Sequence, residues 1–140
     1  MQGQFFEDLS LGQTAETRHV VTASEVEAFA AVSGDTNPVH LDEAYAAATT
    51  FQTRIAHGML SGAYISAVLG TKLPGPGAIY LSQTLRFRRP VKLGDTVVTR
   101  VTVQALDATR GHATLATVCA VNGKSVVEGE AVVMVPRKVA

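Results

Sequence analysis

The segment from Gly58 to Leu69 constrains the fold of this chain more than any other. Met59, Leu60, Ala63, Tyr64, Ile65, Ala67, Val68 and Leu69 put apolar groups on nearly every face of a helix drawn through it. A helix that is apolar all round is stable only when neighbours cover it. Ser61, Gly62, Ala63 and Ser66 are small and let a neighbouring backbone come close. Gly70 and the run from Pro74 to Gly77 then end the element and open a loop. The rest of the chain must therefore supply the cover for one central helix.

The chain beyond Gly77 has the pattern of that cover. Ala78 to Phe87 reads as a first long strand. Thr96 to Ala105 alternates, with Val97, Thr99, Val101 and Val103 on one face. His112 to Val121 and Ser125 to Val135 flank Asn122-Gly123, a strong signal for a tight hairpin turn. Pro90 and Gly94-Asp95 mark a bend between the first two of these runs. Upstream, Phe5, Phe6 and Leu9 would dock an N-terminal arm, and Thr14 to Val21 suits an edge strand. Thr22-Ala-Ser-Glu25 has the form of a capping box, and Val26, Phe29 and Ala30 continue at helical spacing until about Ser33. Gly34 stops that helix, Asn37-Pro38 starts another turn, and Asp42 to Thr50 is an alanine-rich helix candidate. The order predicts an α+β fold over residues 1–140, a single domain whose curved antiparallel sheet surrounds one helix.

Composition narrows the function. Lys plus Arg and Asp plus Glu both number 12, so the net charge is zero and a bulk-basic nucleic-acid binder is not expected. Cys119 stands alone and forms no internal disulfide. The first ten residues have neither a basic start nor an apolar run, and no stretch approaches the ~18 apolar residues of a membrane span. A cytoplasmic protein with no membrane partner is the expectation. Charged residues make up 17%, below the ~25% usual for soluble domains. So few charges suggest that part of the surface is covered by a second copy of the chain.

Two short stretches carry the chemistry. Asp35 and His40 lie five residues apart, about 140° around a continuous helix, but the turn at Pro38 lets them converge. A carboxylate beside an imidazole is a general acid/base pair. Ile55-Ala-His-Gly-Met59 leads into the central helix, where free N–H groups favour negative charge. Gly58 has no side chain and lets a substrate oxygen approach those groups, as an oxyanion hole requires. The competing readings are a solvated turn for the first stretch and a packing glycine for the second. His40 and His57 are seventeen residues apart with no cysteine cluster, a poor zinc pattern, so His57 reads as structural and no metal is expected. His19, His112 and Cys119 read as surface or packing residues. Arg86, Arg88, Arg89 and Lys92 form a local basic strip, with Arg86 and Arg88 on one face and Arg89 on the other if the strand runs on.

Together, Asp35-Thr-Asn-Pro-Val-His40, Ala56-His-Gly-Met-Leu60, Ile79-Tyr-Leu-Ser-Gln83 and Arg86-Phe87 resemble the MaoC-like (R)-specific enoyl-CoA hydratases. The likeness runs from about Phe5 to Val135 and implies a single hot-dog domain. It implies that Asp35 and His40 hold and activate the water that adds to a trans-2-enoyl-CoA, giving a (3R)-hydroxyacyl-CoA. Gly58 would polarise the thioester carbonyl, and Asn37 and Ser66 would orient these groups. Leu69, Val132 and Met134 become candidates for lining the acyl slot. Arg86, Arg88 and Lys92 become candidates for the CoA phosphates. The resemblance further implies a homodimer that needs no cofactor, with polyester precursor supply among the compatible roles. The alternatives are a hot-dog acyl-CoA thioesterase and a non-catalytic acyl-CoA binding module. The first is disfavoured because Gly58 to Leu69 contains no Asp or Glu.

Overall fold

The computed structural model describes residues 2–138. A single 3-10 turn at Phe6–Asp8 docks the N-terminal arm, with Phe6 and Leu9 buried. Strand β1 (Thr14–Val20) leads into helix α1 (Ala23–Ser33). Two short helices come next, α2 (Pro38–Leu41) and α3 (Glu43–Ala47), before the long helix α4 (Gly58–Thr71). The chain then runs through β2 (Ile79–Gln83), β3 (Arg86–Phe87), β4 (Thr96–Asp107), β5 (His112–Val121) and β6 (Lys124–Met134). The sheet order is β1-β4-β5-β6-β2, with β3 also paired to β6, and all pairings are antiparallel.

This is the α+β architecture expected, with α4 packed on β4, β5, β1 and β6. Val97, Thr99, Val101 and Val103 all lie on the inner face of β4 and are at most 1% exposed. Leu60, Ser61, Tyr64, Ile65, Val68 and Leu69 meet that face from the helix. The Asn122-Gly123 turn closes the β5–β6 hairpin with positive φ at both residues, 51° and 78°, as a type I′ turn requires.

Three expectations need correction. The run Ala78 to Phe87 is two strands, because Thr84 interrupts the ladder. The Thr84 backbone N–H donates to Glu130, while its hydroxyl accepts from the Glu130 N–H at 3.0 Å. Gly129 makes room for this kink, since a Cβ there would stand 1.8 Å from the Thr84 carbonyl oxygen. β2 and β3 both pair with β6, so β4 is not the sheet neighbour of the strand before it in the chain. Second, the helix after Asp42 ends at Ala47, where the expected helix ran to Thr50. Third, α4 is not covered on every face: Met59, Ala63, Ser66 and Ala67 are exposed. No helix among the described residues is long and apolar enough to cross a membrane.

A polar cluster ties several of these elements together. The Thr22 hydroxyl accepts from the Glu25 N–H at 3.2 Å, as in a capping box. The Glu25 carboxylate, however, accepts from the Tyr64 hydroxyl at 3.2 Å and pairs with His19, which stacks on the Tyr64 ring. Burial, with the Glu25 charge beside it, pushes the Tyr64 phenol well above its ordinary value and keeps it a neutral donor. Burial likewise raises the Cys119 thiol, which sits near Thr99 and the Ser61 carbonyl as a small core residue. At the centre of this core, Ile65 is fully buried. Ile65→Ala is expected to destabilise the fold by about 2–5 kcal/mol. Urea unfolding should show a lower midpoint at an unchanged slope.

Candidate active site

The site is built where three segments meet. Gly34, at φ 79°, ends α1 and turns the chain toward Asp35. Asn37 then caps α2, its side-chain oxygen accepting from the Val39 N–H at 3.1 Å, with Pro38 in the first helical position. The Asn37 N–H donates to Oδ1 of Asp35 at 3.2 Å, which fixes one carboxylate oxygen. One turn later, His40 is 8% exposed and points its Nδ1 at the Ile55 carbonyl, 2.8 Å away. A carbonyl only accepts, so Nδ1 carries the hydrogen and Nε2 keeps a free lone pair. Behind it, Arg54 donates from Nε to the His40 carbonyl at 2.8 Å.

The third segment is the lead into α4. Ala56 donates its N–H to the Val91 carbonyl at 2.7 Å, and Ile55 forms an isolated bridge with Lys92. His57 caps α4 without a side-chain cap bond, so the first N–H groups of the helix stay directed at the space ahead of it. His57 is 3% exposed, and its Nε2 donates to the Asp35 carbonyl at 2.9 Å. Its ring stacks on His40 with centroids 3.8 Å apart and planes inclined at 29°, and Phe29 flanks it at 4.9 Å.

Asp35, His40, His57 and Gly58 all line one cavity of about 460 Å³, with Phe51, Ile55, Phe87, Arg88 and Arg89 around its walls. The Phe87 ring lies over Gly58 so closely that a Cβ there would come within 2.6 Å of it. A negatively charged oxygen held in this cavity would find the helix N-terminus on one side and an acid/base pair on the other. Asp35, His40 and His57 each offer an atom within 4.8 Å of the others, which places His40 and His57 together despite their separation in sequence. Two rings 3.8 Å apart and inclined at 29° do not bring both lone pairs to one point at the ~2.0 Å of a metal–nitrogen bond. The donor set fits proton transfer better than metal binding.

The other anticipated residues distribute differently. Ser66 lies outside this cavity, in a neighbouring apolar groove lined by Phe29, Ala63, Tyr80 and Leu85; Met59 borders both spaces. Leu69 is 2% exposed and packs in the core, lining neither space, because it faces the sheet from α4. Met134 is at the far end of β6, opposite Ile79 and His112, and Val132 pairs with Ser82. Arg86 sits in a separate groove on the other side of β6 with Gln104, Glu128 and Glu130. Arg88 and Arg89 both reach the cavity, contrary to the alternation expected for a continuous strand, since β3 ends at Phe87 and the side-chain alternation ends with it. The sequence reads His57 as structural, Arg89 as part of a basic strip and Phe87 as part of a family-like motif; all three line the cavity.

The MaoC like domain model matches residues 8–134. The (R)-specific enoyl-CoA hydratase of Rhodospirillum rubrum is 54% identical over 134 residues, covering 96% of this chain and 93% of that protein. The 3-hydroxybutyryl-CoA dehydratase of Methylorubrum extorquens is 52% identical, covering 96% and 85%. Among solved structures, the unliganded R-hydratase PhaJ1 from Pseudomonas aeruginosa superposes with a TM-score of 0.93 at 51% identity, covering 97% of this chain and 88% of that one. With the family model matching nearly its whole length, the chain belongs to the MaoC-like family, on a hot-dog fold.

Proposed function

We propose that this protein is an (R)-specific enoyl-CoA hydratase, adding water reversibly to a trans-2-enoyl-CoA to give the (3R)-hydroxyacyl-CoA. The observation that carries this reading is the meeting of Asp35, His40 and Gly58 in one cavity at the N-terminus of a buried helix. The similarity to the Rhodospirillum rubrum hydratase supports the same reading.

The chemistry comes from the groups present. Water lies between the Asp35 carboxylate and Nε2 of His40. The pair takes one proton from it as its oxygen bonds to C3 of the enoyl thioester. The electrons of the C2–C3 double bond move toward the thioester carbonyl, whose oxygen gains negative charge. The Gly58 N–H faces that charge without reorganisation. The pair then delivers a proton to C2, which balances the addition. The acyl group extends along apolar wall, and Arg88 and Arg89 at the same cavity face the phosphates of CoA. The alternation broken after Phe87 moves this assignment from Arg86 to Arg89.

The exposed face of α4 and the edge strand β2 carry Met59, Ile79, Tyr80 and Leu81, each at least 40% exposed. An apolar helix face beside an open sheet edge is the surface that a second copy covers in a homodimer. The lone cysteine is buried, in keeping with a cytoplasmic enzyme.

Asp35→Asn and His40→Ala are each expected to slow hydration of crotonyl-CoA by about 10²–10⁴-fold while leaving the circular dichroism spectrum of the folded protein in place. The decay of enoyl thioester absorbance, coupled to an (R)-specific 3-hydroxyacyl-CoA dehydrogenase, measures this. Near-full rates in both variants reject the assignment, and release of free thiol instead marks a thioesterase. Gly58→Ala keeps the N–H but pushes a methyl group toward the Phe87 ring and the approach to that N–H, and is expected to lower kcat by about 10²-fold, the order of loss when a reacting group is misplaced. Leu81→Glu is expected to convert dimer to monomer in sedimentation analysis, and a wild-type monomer would remove the dimer from the proposal.

A further inference from the structure

His57 touches every part of the site and belongs to none of the groups that react. Its Nε2–H holds the Asp35 peptide, its ring face lies on the ring of His40, and its own carbonyl is followed directly by the Gly58 N–H. Its remaining nitrogen, Nδ1, is buried and has no hydrogen-bond partner among the described residues. A side chain that only filled space here would be better as an apolar ring, since an unpaired buried nitrogen disfavours folding. The nitrogen persists in the place where Nε2 is needed.

We propose that His57 is a positioning residue of the hydratase site, held as a neutral imidazole with its hydrogen on Nε2. The proposal rests on the hydratase reading above for its kinetic consequence, although the geometry stands by itself. His57 supplies one constraint on each reacting group. Asp35 is held at its carboxylate by the Asn37 N–H, at its own N–H by the Ser33 hydroxyl and at its carbonyl by His57. The His40 ring is held at Nδ1 by the Ile55 carbonyl and across its face by the His57 ring. Removing His57 leaves the His40 ring with its one hydrogen bond and frees the Asp35 carbonyl. The His40 ring is then free to turn about its remaining hydrogen bond, and the Asp35 loop is free to shift relative to α4.

The neutral state of His57 is part of the same device. A proton on Nδ1 would have no acceptor and would place a positive charge directly beneath His40. His40 must accept and return a proton during each turnover, so the ring under it has to stay uncharged. Phe29 flanks the ring, the Asp35 carbonyl meets its other nitrogen, and Arg54 is turned away to the His40 carbonyl; the Asp35 carboxylate also lies within 4.8 Å, with its Oδ1 engaged by the Asn37 N–H.

Two variants separate the hydrogen bond from the stacking. His57→Gln can still donate to the Asp35 carbonyl and lacks the ring. His57→Phe keeps the ring and lacks the donor. With crotonyl-CoA, His57→Phe is expected to reduce kcat by about 10²-fold, the order of loss for a misplaced reacting group, with KM within about threefold and Tm unchanged or raised. His57→Gln is expected to restore part of that loss. A His57→Phe enzyme with kcat within about twofold of wild type overturns the proposal, as does a His57→Gln enzyme slower than His57→Phe. Nitrogen-15 spectra of the imidazoles in the unliganded wild-type protein provide a test that needs no turnover. They are expected to show His57 with its hydrogen on Nε2 and His40 in a single tautomer; a hydrogen on Nδ1 of His57 overturns the proposal. If wild type fails to hydrate any enoyl thioester while the spectra are as expected, the hydratase reading falls and the positioning geometry does not.

Discussion

The burial of α4 against the sheet fixes nearly everything else. Once Leu60, Ile65 and Val68 face β4 and β5, the direction and the starting point of the helix are set. Its first turn must then open at the end where the β3–β4 connection crosses, because Ala56 is hydrogen-bonded to Val91 and Ile55 bridges Lys92. The same few residues present the Ile55 carbonyl to His40 and the His57 ring to both His40 and Asp35. The sheet thus positions Asp35, His40 and Gly58 through one short connection.

Backbone groups do most of the orienting. Oδ1 of Asp35 is held by a peptide N–H, His40 by a peptide carbonyl, and His57 by another. A carbonyl can only accept, so each histidine has its hydrogen assigned by the fold and not by a neighbouring side chain whose own charge could change. This arrangement has a consequence for the chemistry. The lone pair of His40 and the free oxygen of Asp35 remain available for water, since the atoms that hold them in place are the others.

The pattern that showed the fold was local, and the pattern that showed the site was only partly so. Alternation along β4, the Asn122-Gly123 turn and the apolar run of α4 each report a single element, and each element lies where those signals put it. Asp35, His40 and Gly58 were legible because turn chemistry at Gly34 and Pro38 and a helix start at Gly58 can be read within a few residues. What was missed depended on partners distant in sequence. The split of β2 from β3 is enforced by Thr84 with Gly129 and Glu130, across 45 residues of chain or more. The end of β3 at Phe87 brings Arg89 onto the cavity beside Arg88, while Arg86 lines a separate groove. His57 read as structural because its stacking partner lies in another helix, and Leu69 read as a pocket residue because an apolar side chain on α4 does not reveal whether it faces sheet or cavity.

The basic edge of the cavity can be weighed on the same terms. Arg88 is already paired with Glu128 at 2.9 Å, and Arg89 donates to the Ser125 carbonyl. A partnered arginine is not thereby lost to a ligand. Both members of the Arg88–Glu128 pair are well exposed, at 48% and 36%, and such a pair contributes only about 0–1 kcal/mol. Exchanging a carboxylate for a phosphate at that guanidinium therefore costs little, and phosphate can accept two parallel hydrogen bonds where Glu128 only pairs with Nε at 2.9 Å. The existing partners hold the guanidinium groups at the rim in advance, which reduces the ordering that binding must impose. The rim therefore offers cationic groups beside an apolar cavity, the polarity that the proposed acyl-CoA substrate would meet.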